Sequence, residues 1–151
     1  MHIGHINLSK SFNGSGEHYI HLIESLQQRA VQQYVLVRNT ALAKRLDLIA
    51  GVIVGPVVRS PILACCMMPD VDIVHIHDQS SSRAGLLLRL TRPVPYVLTR
   101  RTADALSSGP IRKAAYRRAS GFVEDHQVTA DAHLEVYRQA ADSLRVPRVL
   151  M

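Results

Sequence analysis

Asp72-Ile73-Val74-His75-Ile76-His77-Asp78 decides the fold. Apolar residues stand at both odd and even positions of this run, so neither side of the strand it forms can face water. Strands of that kind lie inside parallel sheets that helices cover on two sides. Immediately downstream, Ser80-Ser81-Ser82 offers hydroxyls to cap a strongly apolar helix over Arg83 to Leu90. Pro95-Tyr96-Val97-Leu98-Thr99 reads as the next strand, with the proline tolerated at its first position.

The same alternation of strand and helix extends in both directions. Upstream, His2 to Leu8 predicts a first strand, ending in a polar, glycine-bearing turn from Ser9 to Gly16. Glu17 to Ala30 follows as a helix whose inner side is Tyr19, Ile20, Ile23, Leu26 and Ala30, with Glu24, Gln27 and Gln28 outward. Gln33 to Arg38 is a second strand, Ala41 to Ile49 a helix, Gly51 to Val54 a third strand and Pro61 to Met68 a helix stopped by Pro69. Downstream come a basic helix at Ile111 to Arg118, a short strand from Gly121, and a helix over Thr129 to Ala141 with Ala130, Leu134, Tyr137 and Ala141 inward. Arg148 to Met151 reads as a last strand. The expected architecture is therefore α/β: a doubly wound, Rossmann-like parallel sheet with helices on both faces, in a single domain. Ligands of such sheets bind beyond the carboxyl ends of the strands, which singles out the turns after residues 8, 38, 77 and 99.

Composition agrees. With 151 residues, 47% of them apolar and 20% charged, the chain suits one core-bearing domain and is too short for two full α/β domains. Its adjacent cysteines, Cys65 and Cys66, build no disulfide framework and fit a reducing compartment. The longest apolar stretch, Leu48 to Val58, is about half the ~20 residues of a spanning helix and is broken by Gly51, Gly55 and Pro56. The start, Met1-His2-Ile3-Gly4-His5, carries no secretory pattern. Eighteen Lys and Arg against twelve Asp and Glu leave a net +6, an excess that calls for an anionic partner. Aromatics at 5% without tryptophan argue against a stacking platform for nucleic acid.

Several positions could carry chemistry. Asn13-Gly14-Ser15-Gly16-Glu17 could bring backbone N–H groups to a phosphate at a helix N-terminus. The dinucleotide fingerprint wants a third glycine where Tyr19 stands, and an acidic residue where Arg38 stands; Arg38 would suit a 2′-phosphate, which keeps an NADP reader open. That reader needs a Tyr-x-x-x-Lys pair, and none of the five tyrosines has a lysine four residues on. His75 and His77 fall on one strand side with Asp78 next; an H-x-H pair can ligate zinc but needs a third ligand, and Gln79 and Ser80 do not complete a metallohydrolase pattern. His77 or Asp78 would otherwise project into a cleft at the strand end. Arg100 and Arg101 suit phosphate or carboxylate, through bidentate guanidinium bonds. Arg112, Lys113, Arg117 and Arg118 form a basic cluster that could rest on an anionic membrane or stand as a solvated face.

Taken in order, four stretches resemble the N-terminal half of GT-B glycosyltransferases of the family 4 type: the glycine-rich turn at 13–18, Asp72 to Asp78 against "D-[VI]-[VI]-H-x-H-[DN]", Pro93 to Arg101 against "P-x-V-x-T", and Tyr116 to Val123 against "Y-R-R-A-D-x-[IV]-I". The likeness is nearly collinear over residues 1–151. It implies an acceptor-binding domain, with a second, donor-binding domain that this chain does not contain. It further implies transfer from a nucleotide sugar to a glycan or lipid-linked acceptor without a metal or other cofactor. Gly14, Ser15, Gly16 and Glu17 would face the donor, and His77, Asp78, Arg100 and Arg101 the acceptor. The chain departs from the family pattern in three ways. No pair of Glu stands eight apart as on the donor side, Arg101 replaces a frequent His, and Glu124-Asp125-His126-Gln127 replaces an apolar pair followed by Ser-Glu. The expectation is a glycosyltransferase half, inactive alone, cytoplasmic and peripheral at the inner face of the membrane, with a donor-domain protein as partner and no nucleic acid. The alternatives are a non-enzymatic accessory subunit that docks to such a protein or to an anionic membrane, and the NADP reader.

Overall fold

Segments apolar on both sides exclude water only by pairing in the middle of a sheet, and here they do. The computed structural model describes residues 1–12, 14–100, 109–124 and 129–145. Within them β1 (His2–Asn7), β2 (Gln32–Val37), β3 (Val52–Val54), β4 (Ile73–Ile76), β5 (Tyr96–Arg100) and β6 (Gly121–Glu124) form one sheet in the order β3-β2-β1-β4-β5-β6. Every neighbouring pair is parallel. The strand order reverses between β1 and β4, the place where open α/β sheets leave a crevice.

Among the described residues six helices cover the sheet: α1 (Gly14–Gln27), α2 (Thr40–Leu46), α3 (Pro61–Met67), α4 (Ser82–Thr91), α5 (Pro110–Arg118) and α6 (Ala130–Arg145). The side-chain period of two sorts each strand between two cores. Ile6, Leu36, Val74, Ile76, Tyr96 and Leu98 point one way, onto Ala64 and Cys65 of α3 and Ala84 and Leu88 of α4. Ile3, Ile73 and Val97 point the other way, onto Leu26 of α1 and Leu134, Tyr137 and Ala140 of α6. Val35 and Val37 join them against α1 and α2. Local chemistry sets the helix starts: Asn39 Oδ1 accepts from Leu42 N at 3.0 Å, and Ser60 Oγ accepts from Leu63 N at 3.2 Å with Pro61 at the first helical position. At Gly85 an added Cβ would stand 2.7 Å from the Tyr96 ring, so the missing side chain lets α4 lie directly on β5.

The expected fold class is the observed one, with local corrections. Helix α1 begins at Gly14, so Gly14, Ser15 and Gly16 make its first turn instead of a loop before it. Ala30 is exposed at φ 54, beyond the helix end, and does not belong to its inner side. In α6 Ala130 is buried as expected, but its buried companion is Ala140, with Ala141 only partly covered. The serines do not cap α4 with their side chains: Gln79–Ser81 form a 3-10 turn and Ser81 Oγ turns back to β1. The expected strand at 148–151 lies outside the described residues.

Candidate functional site at the carboxyl rim of β1, β4 and β5

Beyond the sheet's carboxyl edge, where the strand order reverses, a cavity of 210 Å³ opens. Among the described residues it is lined by Ser9 and Lys10 after β1, by His77, Asp78, Gln79 and Ser80 after β4, and by Thr99 of β5. Its walls are polar, and the loops that form them are tied down. Asp78 is the tie: Oδ1 accepts from Leu8 N at 2.8 Å and from Ser81 Oγ, and Oδ2 accepts from Ser81 N at 3.2 Å. Ser81 Oγ also lies 2.9 Å from Leu8 N. On the other side of the mouth, Asn39 Nδ2 donates to the Lys10 carbonyl at 3.0 Å. One carboxylate thus fastens the ends of both central strands while presenting an edge to the cavity.

Behind the rim, on the α1 and α6 side, lies a buried cluster of imidazoles and phenols. His5 is the register partner of His75 on the neighbouring strand, and His77 follows two residues on. His5 Nδ1 and His77 Nε2 are 3.0 Å apart. His75 is held at both nitrogens, Nδ1 by the Tyr137 hydroxyl at 2.6 Å and Nε2 by the Thr99 hydroxyl at 2.8 Å. The His75 and His77 rings lie 3.8 Å apart between centroids, and the Tyr19 ring meets His77 edge-on at 4.4 Å. Thr99 and His77 therefore belong to both the cavity wall and the buried cluster.

Burial governs the charge states. It pushes His5 down to about 3, helped by His133 and opposed by the Gln33 side chain, which lies beside the ring but outside hydrogen-bond geometry. His75 is held well below the ordinary histidine value by burial and then by His5 and His133. His133 is lowered by burial, against the Thr129 carbonyl that favours its charged form. Tyr19 and Tyr137 are raised well above the usual phenol value, again chiefly by burial, with Asp78 adding to Tyr19. At neutral pH His5, His75 and His133 are uncharged.

Of the residues that the sequence points to, His77 and Asp78 line the cavity. Gly16 packs against Phe12, and Glu17 pairs with Arg45 of α2 at 2.5 Å. Gly14 and Ser15 stand in the first turn of α1. Arg100 ends β5 opposite Glu124, and Arg101 lies outside the described residues. Sequence reasoning passed over Ser9, Lys10, Thr99, His5 and Tyr137. The signal for His5 was its parity with Ile3 and Asn7 on the strand beside His75; for Tyr137 it was a phenol on the inner side of a helix that must cover a strand carrying histidine.

Strand order, parallel pairing and a polar cavity at the switch point define the domain as Rossmann-like and doubly wound. No protein-family model matches the chain, and no curated protein is similar to it in sequence. Among solved structures it is similar to Anabaena Alr3699/HepE, determined in complex with UDP, with a TM-score of 0.64 at 14% identity. The match covers 93% of this chain and 41% of HepE, so the chain spans about two fifths of that protein's length. At this identity the likeness is one of fold.

Proposed function

We propose that this domain is the acceptor-binding half of a glycosyltransferase that uses a nucleotide-sugar donor. One observation carries the reading: the cavity sits at the carboxyl ends of β1, β4 and β5 in a domain that shares its fold with a UDP-bound protein more than twice its length. The family 4 resemblance of residues 72–78 and 93–101 converges on the same rim. Ser9, Lys10, Gln79, Ser80 and Thr99 give hydroxyl, amide and ammonium groups at the density that sugar hydroxyls and a lipid-linked phosphate call for. His77 and Asp78 line the cavity, and Arg100 follows Thr99 at the end of β5.

In this reading a donor-binding lobe closes over the rim, and most of the stabilisation of the leaving nucleotide comes from that lobe. The domain alone then binds acceptor and little donor. Calorimetry with UDP-sugars and with a short-chain prenyl-diphosphate saccharide tests this. Saturable binding of the saccharide, weakened by Lys10→Ala, and none of the UDP-sugar is expected. Tight UDP-sugar binding to the 151-residue chain contradicts it.

A membrane surface is the natural source of such an acceptor, and one side of the domain suits it. Helices α3, α4 and α5 carry Arg83, Arg89, Arg112, Lys113, Arg117 and Arg118 and no Asp or Glu. Ile62, Leu63, Met67, Leu90 and Ile111 are exposed on the same helices. Cations beside exposed aliphatic side chains fit the headgroup region of an anionic bilayer. Among the described residues no helix is long and apolar enough to cross a membrane.

A further inference from the structure

We propose that His5, His75 and His77 form a binding site for one divalent transition-metal cation of the zinc class. The inference does not depend on the glycosyltransferase reading. Sequence alone offers an H-x-H pair without a third ligand; the parallel pairing of β1 with β4 brings His5 in as that ligand. One ring nitrogen from each histidine lies within 4.8 Å of those from the other two. The 3.0 Å between His5 Nδ1 and His77 Nε2 is a few tenths of an ångström short of the ~3.4 Å that separates two imidazole nitrogens, each about 2.1 Å from a shared tetrahedral zinc.

The surroundings fit ligand histidines. Bound imidazoles ordinarily donate their other N–H to an outer partner. His75 has that partner in the Tyr137 hydroxyl, 2.6 Å from Nδ1, which leaves Nε2 to the cation once the Thr99 hydroxyl turns away. At His5 the Gln33 side chain lies beside the ring without a hydrogen bond to it, so Nε2 still lacks that partner. Three buried side-chain atoms among the described residues lack a hydrogen-bond partner: His5 Nε2, Gln33 Oε1 and Tyr19 Oη. All three belong to this cluster. None of the three is a ligand atom; they show that the polar surroundings of the three rings are incomplete as they stand. Three imidazoles and no carboxylate among the ligands favour zinc, cobalt, nickel or copper over magnesium or calcium. His77 and Thr99 also line the cavity, so a cation and its fourth ligand can reach the site from the rim.

Cobalt titration of the chelator-treated 151-residue protein tests the proposal. One equivalent of Co²⁺, giving the visible absorption of a four-coordinate site and displaced by Zn²⁺, is the expected result. His5→Gln and His77→Gln should each weaken binding about 100-fold or more. His21→Gln, on the exposed side of α1, should leave it unchanged. Should either cluster variant fail to fold, X-ray absorption at the zinc edge of the wild type decides, with three imidazole nitrogens at about 2.0 Å expected. Absence of stoichiometric binding, equal binding by the folded variants, or a zinc edge with fewer than three imidazoles overturns the site. In that case buried water completes the cluster.

Discussion

The two sides of the sheet bury different chemistry. Against α3 and α4 the buried strand residues are aliphatic or, in Tyr96, aromatic with its hydroxyl spent on the Ala115 carbonyl. Against α1 and α6 the same sheet buries His5, His75, His77 and His133 with Tyr19 and Tyr137. The outer surfaces differ in the opposite sense. The apolar side is covered by helices with six cations and no carboxylate, whereas α1, α2 and α6 carry Glu17, Glu24, Asp131, Glu135 and Asp142 against Lys44, Arg45, Arg138 and Arg145. Hydrocarbon packing holds most of the first side, tied at its edges by Arg92, which donates to the Met68 and Cys65 carbonyls at 2.7 and 2.9 Å. On the second side, polar groups behind the rim hold Thr99 and His77 in place for whatever enters the cavity.

The contrast can be broken by substitution. Leu88→Ala, in the apolar core, should cost about 3 kcal/mol in urea unfolding through lost burial and a cavity, with no effect on the rim. Tyr137→Phe removes one hydroxyl on the polar side and strands a buried nitrogen of His75. It should cost about 2 kcal/mol and loosen Thr99, seen as faster exchange of amides at the end of β5. Equal losses from both, with unchanged exchange at β5, would show that the polar cluster is ordinary core.

Acidity separates the two sides further. His5 protonates near 3 in the folded chain and near 6.5 when unfolded, so between those values the unfolded state binds more protons. Stability of the metal-free protein should therefore be fully present above pH 6.5 and fall as pH drops toward 3. The slope is about 1.4 kcal/mol per pH unit for each histidine kept neutral by burial. His75 and His133 add in the same direction. Urea titrations at pH 7, 6 and 5 measure the slope, and a flat profile would mean that these imidazoles are not buried.

The smallest effect belongs to the basic side. Arg117→Glu and Arg118→Glu, both exposed at the end of α5, should change stability by less than about 0.5 kcal/mol. Each should weaken sedimentation with phosphatidylglycerol vesicles by about fivefold, the equivalent of ~1 kcal/mol per cation. Sedimentation that is indifferent to both changes would leave the cluster as a solvated surface.

Much of this architecture is written locally. Ile73, Val74 and Ile76 announce a strand buried on both sides, and Tyr19, Ile20, Ile23 and Leu26 a helix with one inner stripe. The misreadings are those of weak local signals. Gly14 and Gly16 are poor helix formers, so a helix that starts on them reads as a loop until packing against Phe12 is seen. Ser80 to Ser82 look like caps, but Asp78, not a serine, supplies the turn's acceptor. The polar cluster was legible only in part. His75 and His77 share a strand and show their spacing, while His5 is seventy residues away from His75 and meets it only through strand order. No one-dimensional pattern carries that pairing.

The proposed entry of a sugar acceptor at the rim of β1, β4 and β5 is open to direct observation. Amide shift mapping with a short-chain prenyl-diphosphate saccharide addresses it most directly. Saturable shifts at Ser9, Lys10, Gln79, Ser80 and Thr99 are expected, with α3 and α6 unmoved. Shifts confined to other surfaces, or none at the rim at saturating saccharide, would contradict it.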